Sequence, residues 1–316
     1  MKLLAIVSFA AAVAISGSAF GQSACRIQRQ EVFQPQGKRV VLATAAGAQA
    51  GDQFVLFRSQ LRVNTDGAPN SYHPDDLKGS TKAINNIANG VAVTRGGKGV
   101  GYAQTIKVFG DFRDNNWTVP GGYKITWQNV LAARNAGNGS IPCVFAAGDH
   151  RGYFGSLTAL KNGLSGGAAG ECEVANQLDE RFIPALVIAG GSNPLKHFQV
   201  AIGDLVLAVN PENGVVEAAV VGDQGPPDNL GEGSVALNMA LLQRTNQPTN
   251  YAEAKQLDTG SRQMIVAIVP GSASYKLERP YSVDNIGRRV AAWLAEHHYG
   301  SLAGFAGLMK ACAGQL

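Results

Sequence analysis

The chain predicts a β-rich, mixed α+β fold, and three observations carry that expectation. Glycine is abundant, at 39 of 316 residues, while charged residues make up only 16%; such a composition suits many short strands joined by long loops rather than a helical bundle. Apolar runs of strand length recur between turn-forming residues, at Phe54–Arg58, Phe182–Ile188, Leu205–Val209, Val215–Val221 and Gln263–Val269. Helical spacing is clearest near the end, where Ser282-Val283-Asp284 opens a stretch with Ile286, Val290, Ala291, Trp293 and Leu294 at helical intervals. A hydrophobic fraction of 45% is enough for one large domain or one domain with extensions.

In chain order, Met1-Lys2 is a short basic start, Leu3 to Ile15 is apolar, and Ala19-Phe20-Gly21 is a small-x-small cleavage site. Residues 1–21 therefore read as a secretory leader, and the mature chain is expected to be secreted or periplasmic. No later run reaches membrane-spanning length, so no membrane span is expected. Gln22–Gln36 reads as a polar lead-in, Arg39–Leu42 as a short β-prone run, and Val63–Asp76 as a turn-rich loop. Ala83–Val93 has the spacing of a helix followed by a strand. Thr94–Gly101 lacks the Gly-Lys-Ser/Thr ending of a phosphate loop and reads as a hairpin with a glycine turn. Trp117, Tyr123 and Trp127 are either sugar-stacking aromatics or core.

Farther on, Gly163–Gly170 is a glycine loop, and the acidic segment Leu178–Arg181 leads into the strand Phe182–Ile188. Asn213-Gly214 marks a hairpin between Leu205–Val209 and Val215–Val221. Gly222 to Pro227 is expected to end the second strand, and Gly231-Glu232-Gly233-Ser234 to begin a helix over Val235–Leu242. Thr245–Leu257 reads as a linker with a short helix, and Leu302–Cys312 as a last helix.

The formal charge is +4 and the basic residues are scattered without a run, which excludes a nucleic-acid partner from the expectation. Four cysteines follow the leader. An even count in an exported chain favours two disulfides, for which three pairings exist. Cys25–Cys312, tying the termini, and Cys143–Cys172, closing a glycine-rich loop, are the expected ones. No Cys-x-x-Cys or His-x-x-x-His spacing supports zinc, and Asn64-x-Asp66 lacks the rest of a calcium loop, so no metal or cofactor is expected. Ser71 and His73 come without a Gly-x-Ser-x-Gly elbow, which argues against a serine hydrolase.

Asp223 stands where an apolar strand gives way to Gln224-Gly225-Pro226-Pro227, and Glu232 stands beyond that stiff loop. Two carboxyls on opposite lips of one loop match the needs of glycosidic cleavage, in which one donates a proton to the leaving oxygen and the other activates water or attacks the sugar. The structural alternative is an Asx-turn aspartate and a glutamate favouring a helix dipole. The order of features also resembles glycoside hydrolase family 75, the secreted endo-chitosanases. That family carries Gly-Asp and then Gly-Glu-x-Ser before a helix, here Gly222-Asp223 and Gly231-Glu232-Gly233-Ser234. It also has an upstream Pro-led β strand, here Ile183–Ile188, and an aspartate-rich Asp-Gly segment, here Asn64-Thr65-Asp66-Gly67.

The resemblance spans roughly Phe54 to Leu242. It implies that Asp223 and Glu232 are the catalytic pair of an inverting hydrolase, with a polysaccharide partner and a monomeric chain. Two further acidic positions of the family segment fall on Arg62 and Asn64, so only Asp66 keeps its acid there. That departure bears on binding a glucosamine ammonium, and the chain's mild positive charge likewise argues against chitosan itself. Asp66, His73 at a cleft rim and Asp179 are the candidate substrate contacts, with Glu180 a further acidic candidate. The alternative for His73 is a loop histidine, and for Asp179 and Glu180 solvated loop charges.

The strand–Asp-Gly–strand pattern also resembles double-psi β-barrel glycan enzymes. The expected organisation is therefore a leader (1–21), a family-75-like catalytic domain (22–245) with a double-psi-like barrel core and peripheral helices, and a C-terminal helical extension (246–316) packed on it. The alternatives are a peptidoglycan-active hydrolase or lytic transglycosylase, and a non-catalytic envelope glycan-binding protein.

Overall fold

Alternating apolar residues build a nine-stranded sheet whose central strands have a core on each face. The computed structural model describes residues 25–47, 53–127, 130–136, 139–163 and 172–316; the expected leader and most of the expected glycine loop lie outside the described residues. The chain begins with strands β1 (Arg26–Phe33), β2 (Val40–Ala46), β3 (Phe54–Ser59) and β4 (Arg62–Asn64). An insertion follows, with α1 (Ile87–Gly90), β5 (Ala92–Arg95), β6 (Lys98–Gly99), α2 (Tyr102–Asp114), β7 (Tyr123–Thr126), β8 (Ala133–Ala136) and β9 (Gly139–Pro142). The sheet resumes with β10 (Ala185–Ala189), β11 (Leu205–Val209), β12 (Val216–Gly225) and β13 (Glu232–Ser234). Then come α3 (Val235–Leu242), α4 (Tyr251–Lys255), β14 (Met264–Val269), α5 (Val283–Glu296) and α6 (Leu302–Ala313).

Across the sheet the order is β1-β2-β3-β14-β11-β12-β10-β13-β4. Pairing is antiparallel except for β10 with β12 and β13 with β4. Only Gln60 and Leu61 join β3 to β4, yet the two strands stand six places apart in the sheet. Six inter-strand steps on a flat sheet are about 29 Å, whereas three Cα–Cα steps reach at most about 11 Å. The sheet therefore rolls until its β4 edge returns beside β3. The roll stays open, because β3 and β4 are not hydrogen-bonded neighbours; the architecture is α+β and sheet-rich, without a closed barrel.

Strand periodicity sorts the core. Phe54, Leu56, Leu205, Leu207, Ile265 and Ala267 face one side, against Ile286, Val290 and Trp293 of α5 and Phe305 and Met309 of α6. Val55, Phe57, Val206, Ala208, Val266 and Ile268 face the other, with Leu237 and Leu241 of α3. Ser282 caps α5, accepting from the Asn285 N–H while the Asn285 side chain accepts from the Ser282 N–H. Cys25 is bonded to Cys312 and Cys143 to Cys172. No helix among the described residues is long and apolar enough to cross a membrane. The insertion has its own core, built on Tyr72, Phe109, Phe112, Leu131 and Phe154.

Three expectations change. The polar lead-in contains β1, a mostly exposed edge strand that pairs with β2 alone; its backbone bonds to β2 and the packing of Ile27 and Phe33 against the two cores hold it. Strand β12 does not end at Val221 but runs through Asp223 to Gly225, and the prolines come only after its pairing stops. Glu232 lies on β13 rather than in a helix turn; Ser234 caps α3, accepting from the Leu237 N–H at 3.1 Å.

Candidate functional site

Val187 in β10 is the centre of the site. On one side it pairs with Asp223 of β12, and on the other with Glu232 of β13. Glu232 pairs in turn with Arg62 of β4. Residues opposite one another in a ladder project to the same face, so Asp223, Val187, Glu232 and Arg62 form a row across the sheet. Two inter-strand steps, about 9–10 Å of backbone, separate the two acids. The row floors a cleft of about 1380 Å³, whose far wall comes from Asn85, Asn89, Trp127 and Leu131 of the insertion.

A bulge aims Asp223 into this row. Leu186 pairs with Val221, but Val187 pairs with Asp223, so Gly222 is an extra residue in β12. Were Gly222 paired in a regular ladder with Val187, Asp223 would fall opposite Ile188, on the apolar face that holds Val221 and Leu186. Only glycine fits there, because a Cβ on Gly222 would sit 2.6 Å from that of Ala185. Gly231 performs the matching task before Glu232. Its φ is +99°, and a Cβ would lie 2.3 Å from the carbonyl oxygen of Gln60, so the β13 strand can approach the β3–β4 corner closely enough for the Arg62 N–H to donate to the Gly231 carbonyl at 2.9 Å.

The two acids of the row have different surroundings. Burial pushes the Asp223 carboxyl up to about 6, and the charge of Glu232 adds to this; N–H groups of Gln224 and Ala159 and the charge of Lys161 pull the other way. The Ala159 N–H donates to Asp223 Oδ1 at 2.9 Å. Glu232 is ion-paired, its Oε1 3.1 Å from Nη2 of Arg62. The same guanidinium donates to the side chains of Gln36 and Asn229.

Asp66, just beyond β4, lines the same cleft. Burial holds its carboxyl well above the usual range, the nearby charge of Asp223 raises it further, and the Tyr72 hydroxyl, donating at 2.8 Å, opposes both. Tyr72 Oη accepts from Asn85 Nδ2 at 2.9 Å, and Asn85 Oδ1 accepts from Asn89 Nδ2 at 2.7 Å, so a polar ladder runs from Asp66 along the far wall.

Three sequence-predicted acids therefore meet in one cleft, and two other candidates stand outside its lining. His73 is buried against the Tyr153 ring at 4.7 Å, and its Nδ1 accepts from the Asp75 N–H at 3.0 Å. Asp179 is held by Arg181 at 2.9 Å and 2.6 Å. Its neighbour Glu180 is the residue the preference for Asp179 passed over. Glu180 is 0% exposed, and neither carboxyl oxygen has a hydrogen-bond partner among the described residues. Burial, then the charges of Asp223 and Asp66, keep it well above the usual carboxyl range. Of the aromatic candidates, Trp127 lines the cleft, while Trp117 and Tyr123 pack on the insertion core. Among the described residues no group of three His, Cys, Asp or Glu is arranged to hold a metal ion. No protein-family model matches the chain, and a search of curated proteins returns no match.

Proposed function

We propose that this chain is an exported endo-glycosidase of the family 75 type, hydrolysing a β-1,4-linked amino-sugar polymer with inversion. The observation that carries the reading is the row itself: Asp223 and Glu232 flank Val187 on one face of the sheet, at the floor of a cleft. Their spacing of two strands is of the order an inverting pair needs, about 6.5–9.5 Å between carboxyls with a water between them. The cleft exceeds the roughly 300–1,000 Å³ typical of small-molecule sites, which suits a polymer. A double-psi-like crossing of the strands around Asp223 belongs to the same reading.

In this mechanism Asp223 is the general acid. It carries its proton up to about pH 6 and gives it to the glycosidic oxygen as the C1–O bond breaks. Glu232, on the other side of the row, takes a proton from the water whose oxygen bonds to C1 from the opposite face. A lytic transglycosylase would need only the acid, so the ion-paired second carboxylate favours hydrolysis. The test is Asp223→Asn and Glu232→Gln, each assayed for new reducing ends on amino-sugar polymers. Each variant should lose about 10²–10⁴-fold in rate, while NMR of the fresh product should show the inverted anomer. Full activity in either folded variant, or a retained anomer, defeats the assignment.

A further inference from the structure

The floor of the cleft carries cations where a polycationic sugar chain would have to lie. Arg62 stands beside Glu232 in the catalytic row and keeps 39% of its side chain exposed. Lys161 and Lys255 line the same cleft. Against these three stand Asp66, Asp223 and Glu232. Glu232 is matched by Arg62, and Lys255 by Asp258. Burial biases Asp66 and Asp223 toward their neutral forms, and Asp223 must carry its proton to act as the acid. Under working conditions no carboxylate among the described lining residues is therefore both charged and unmatched, so a sugar ammonium finds no counter-charge there. A glucosamine ammonium is positive in the same pH range, and like charges in a partly desolvated cleft repel. An acetamido group is uncharged, and its carbonyl can accept from a guanidinium N–H.

We infer that the sugar seated beside Arg62 carries an N-acetyl group, so that the substrate is an N-acetylated β-1,4 amino-sugar glycan rather than a fully deacetylated one, with Arg62 as the residue that sets this preference. The inference rests on the glycosidase reading and narrows its substrate. The same acetamido chemistry occurs in chitin-type oligomers and in the glycan strands of peptidoglycan.

The experiment compares fully acetylated chitin hexamers, fully deacetylated hexamers and purified peptidoglycan strands. Turnover is measured with the wild-type chain, and binding by calorimetry with Asp223→Asn, which leaves Arg62 and Glu232 in place. At least one N-acetylated substrate should be preferred to the deacetylated hexamer by about tenfold or more, the scale of one introduced like-charge contact. Which N-acetylated arm is cleaved identifies the source, and either supports the inference. Raising salt should narrow the gap by relieving the repulsion.

Arg62→Gln should cut the acetylated-to-deacetylated ratio of kcat/KM by about tenfold, and Arg62→Lys should keep it. A merely structural role for Arg62, or an effect passed through Glu232, would lower both substrates together and leave the ratio unchanged, which overturns the inference. If the arginine variants do not fold, the wild-type preference and its salt dependence decide alone. Preference for the deacetylated hexamer overturns this inference and leaves the glycosidase reading standing. Neither cleavage nor binding of any of the three removes the glycosidase reading, and this inference with it.

Discussion

Asp76 in the insertion and Glu180 beneath the cleft are both carboxyls withdrawn from water, and the fold treats them in opposite ways. Asp76 is 8% exposed and accepts four backbone N–H groups, from Ser80, Thr81, Lys82 and Ala83, at 2.7–3.1 Å. Burial alone would raise it, but those donors outweigh burial and bring it down to about 2. Glu180 is 0% exposed and receives no hydrogen bond from a described residue, and burial drives it up. Asp204 belongs with Asp76 in bonding: it too is buried, but accepts from the N–H groups of Ala201 and Ala273. The difference separates acids that fasten loops from acids left uncompensated around a cleft. An uncompensated buried acid has no structural benefit to set against its desolvation, and perturbed carboxyls gathered in a cleft point to chemistry.

The largest effect that follows concerns Asp223. If its proton is the one donated, the alkaline limb of kcat/KM should begin at about pH 6 and fall about tenfold per pH unit. A pH–rate profile measured between pH 4 and 9 checks this. An alkaline limb beginning well above pH 7 would put the acid elsewhere, with Asp66, which lines the same cleft, the next candidate.

Stability should divide the two kinds of acid by sign. Asp76 has a folded value near 2 against an ordinary 3.8, so its contribution is present above pH 3.8 and lost as pH falls toward 2. The shift corresponds to about 2 kcal/mol. Asp76→Asn should lose about that much at pH 7, read from the urea midpoint, and the loss should shrink toward pH 2. Glu180 runs the other way. Its folded value lies above the ordinary 4.5, so its charged form weakens the fold as pH rises from 4.5 upward. Glu180→Gln should change little at pH 4, where both side chains are neutral and equally unpartnered, and should stabilise the fold at pH 8, where only the glutamate meets the penalty of ionising in a buried site. Equal pH slopes for the two variants would erase the distinction drawn here.

How much of this was legible in the sequence depends on whether an element's signal is local. The strands around Phe54, Leu205 and Met264 announce themselves by apolar runs between turn residues, and α5 by Ser282 and its helical stripe. Strand β1 is mostly polar, with Ile27 and Phe33 as its partly buried apolar side chains, and shows no apolar run of its own; it becomes a strand beside β2. Helix α2 begins at Gly101 without a side-chain cap and contains Gly110, so its one readable sign is the spacing of Thr105, Val108, Phe109 and Phe112.

At the site, Asp223 and Glu232 stand out as carboxyls framing a proline loop. That they share a face does not. It depends on Gly222 being left out of the ladder, and a bulge exists only relative to the partner strand. Asp179 and Glu180 look alike in sequence for the same reason. Whether a loop acid pairs with Arg181 or disappears beneath a neighbouring strand is decided by tertiary packing.

The smallest effect tests the border between the two kinds of acid, at Asp66. This carboxyl has one compensating side-chain donor, the Tyr72 hydroxyl at 2.8 Å, in place of the four N–H groups that hold Asp76. Removing it with Tyr72→Phe should cost about 1 kcal/mol of stability, the net value of a neutral hydrogen bond. Asn85 keeps Thr65 Oγ1 as an acceptor at 2.9 Å, so the wall ladder is shortened rather than broken. Because the lost bond is the one opposing burial, the Asp66 carboxyl should titrate higher in the variant than in the wild type, as followed by its ¹³C shift. A lower value would mean that the tyrosine was stabilising the neutral acid instead, and Asp66 would then belong with Glu180 as a fully uncompensated member of the cleft.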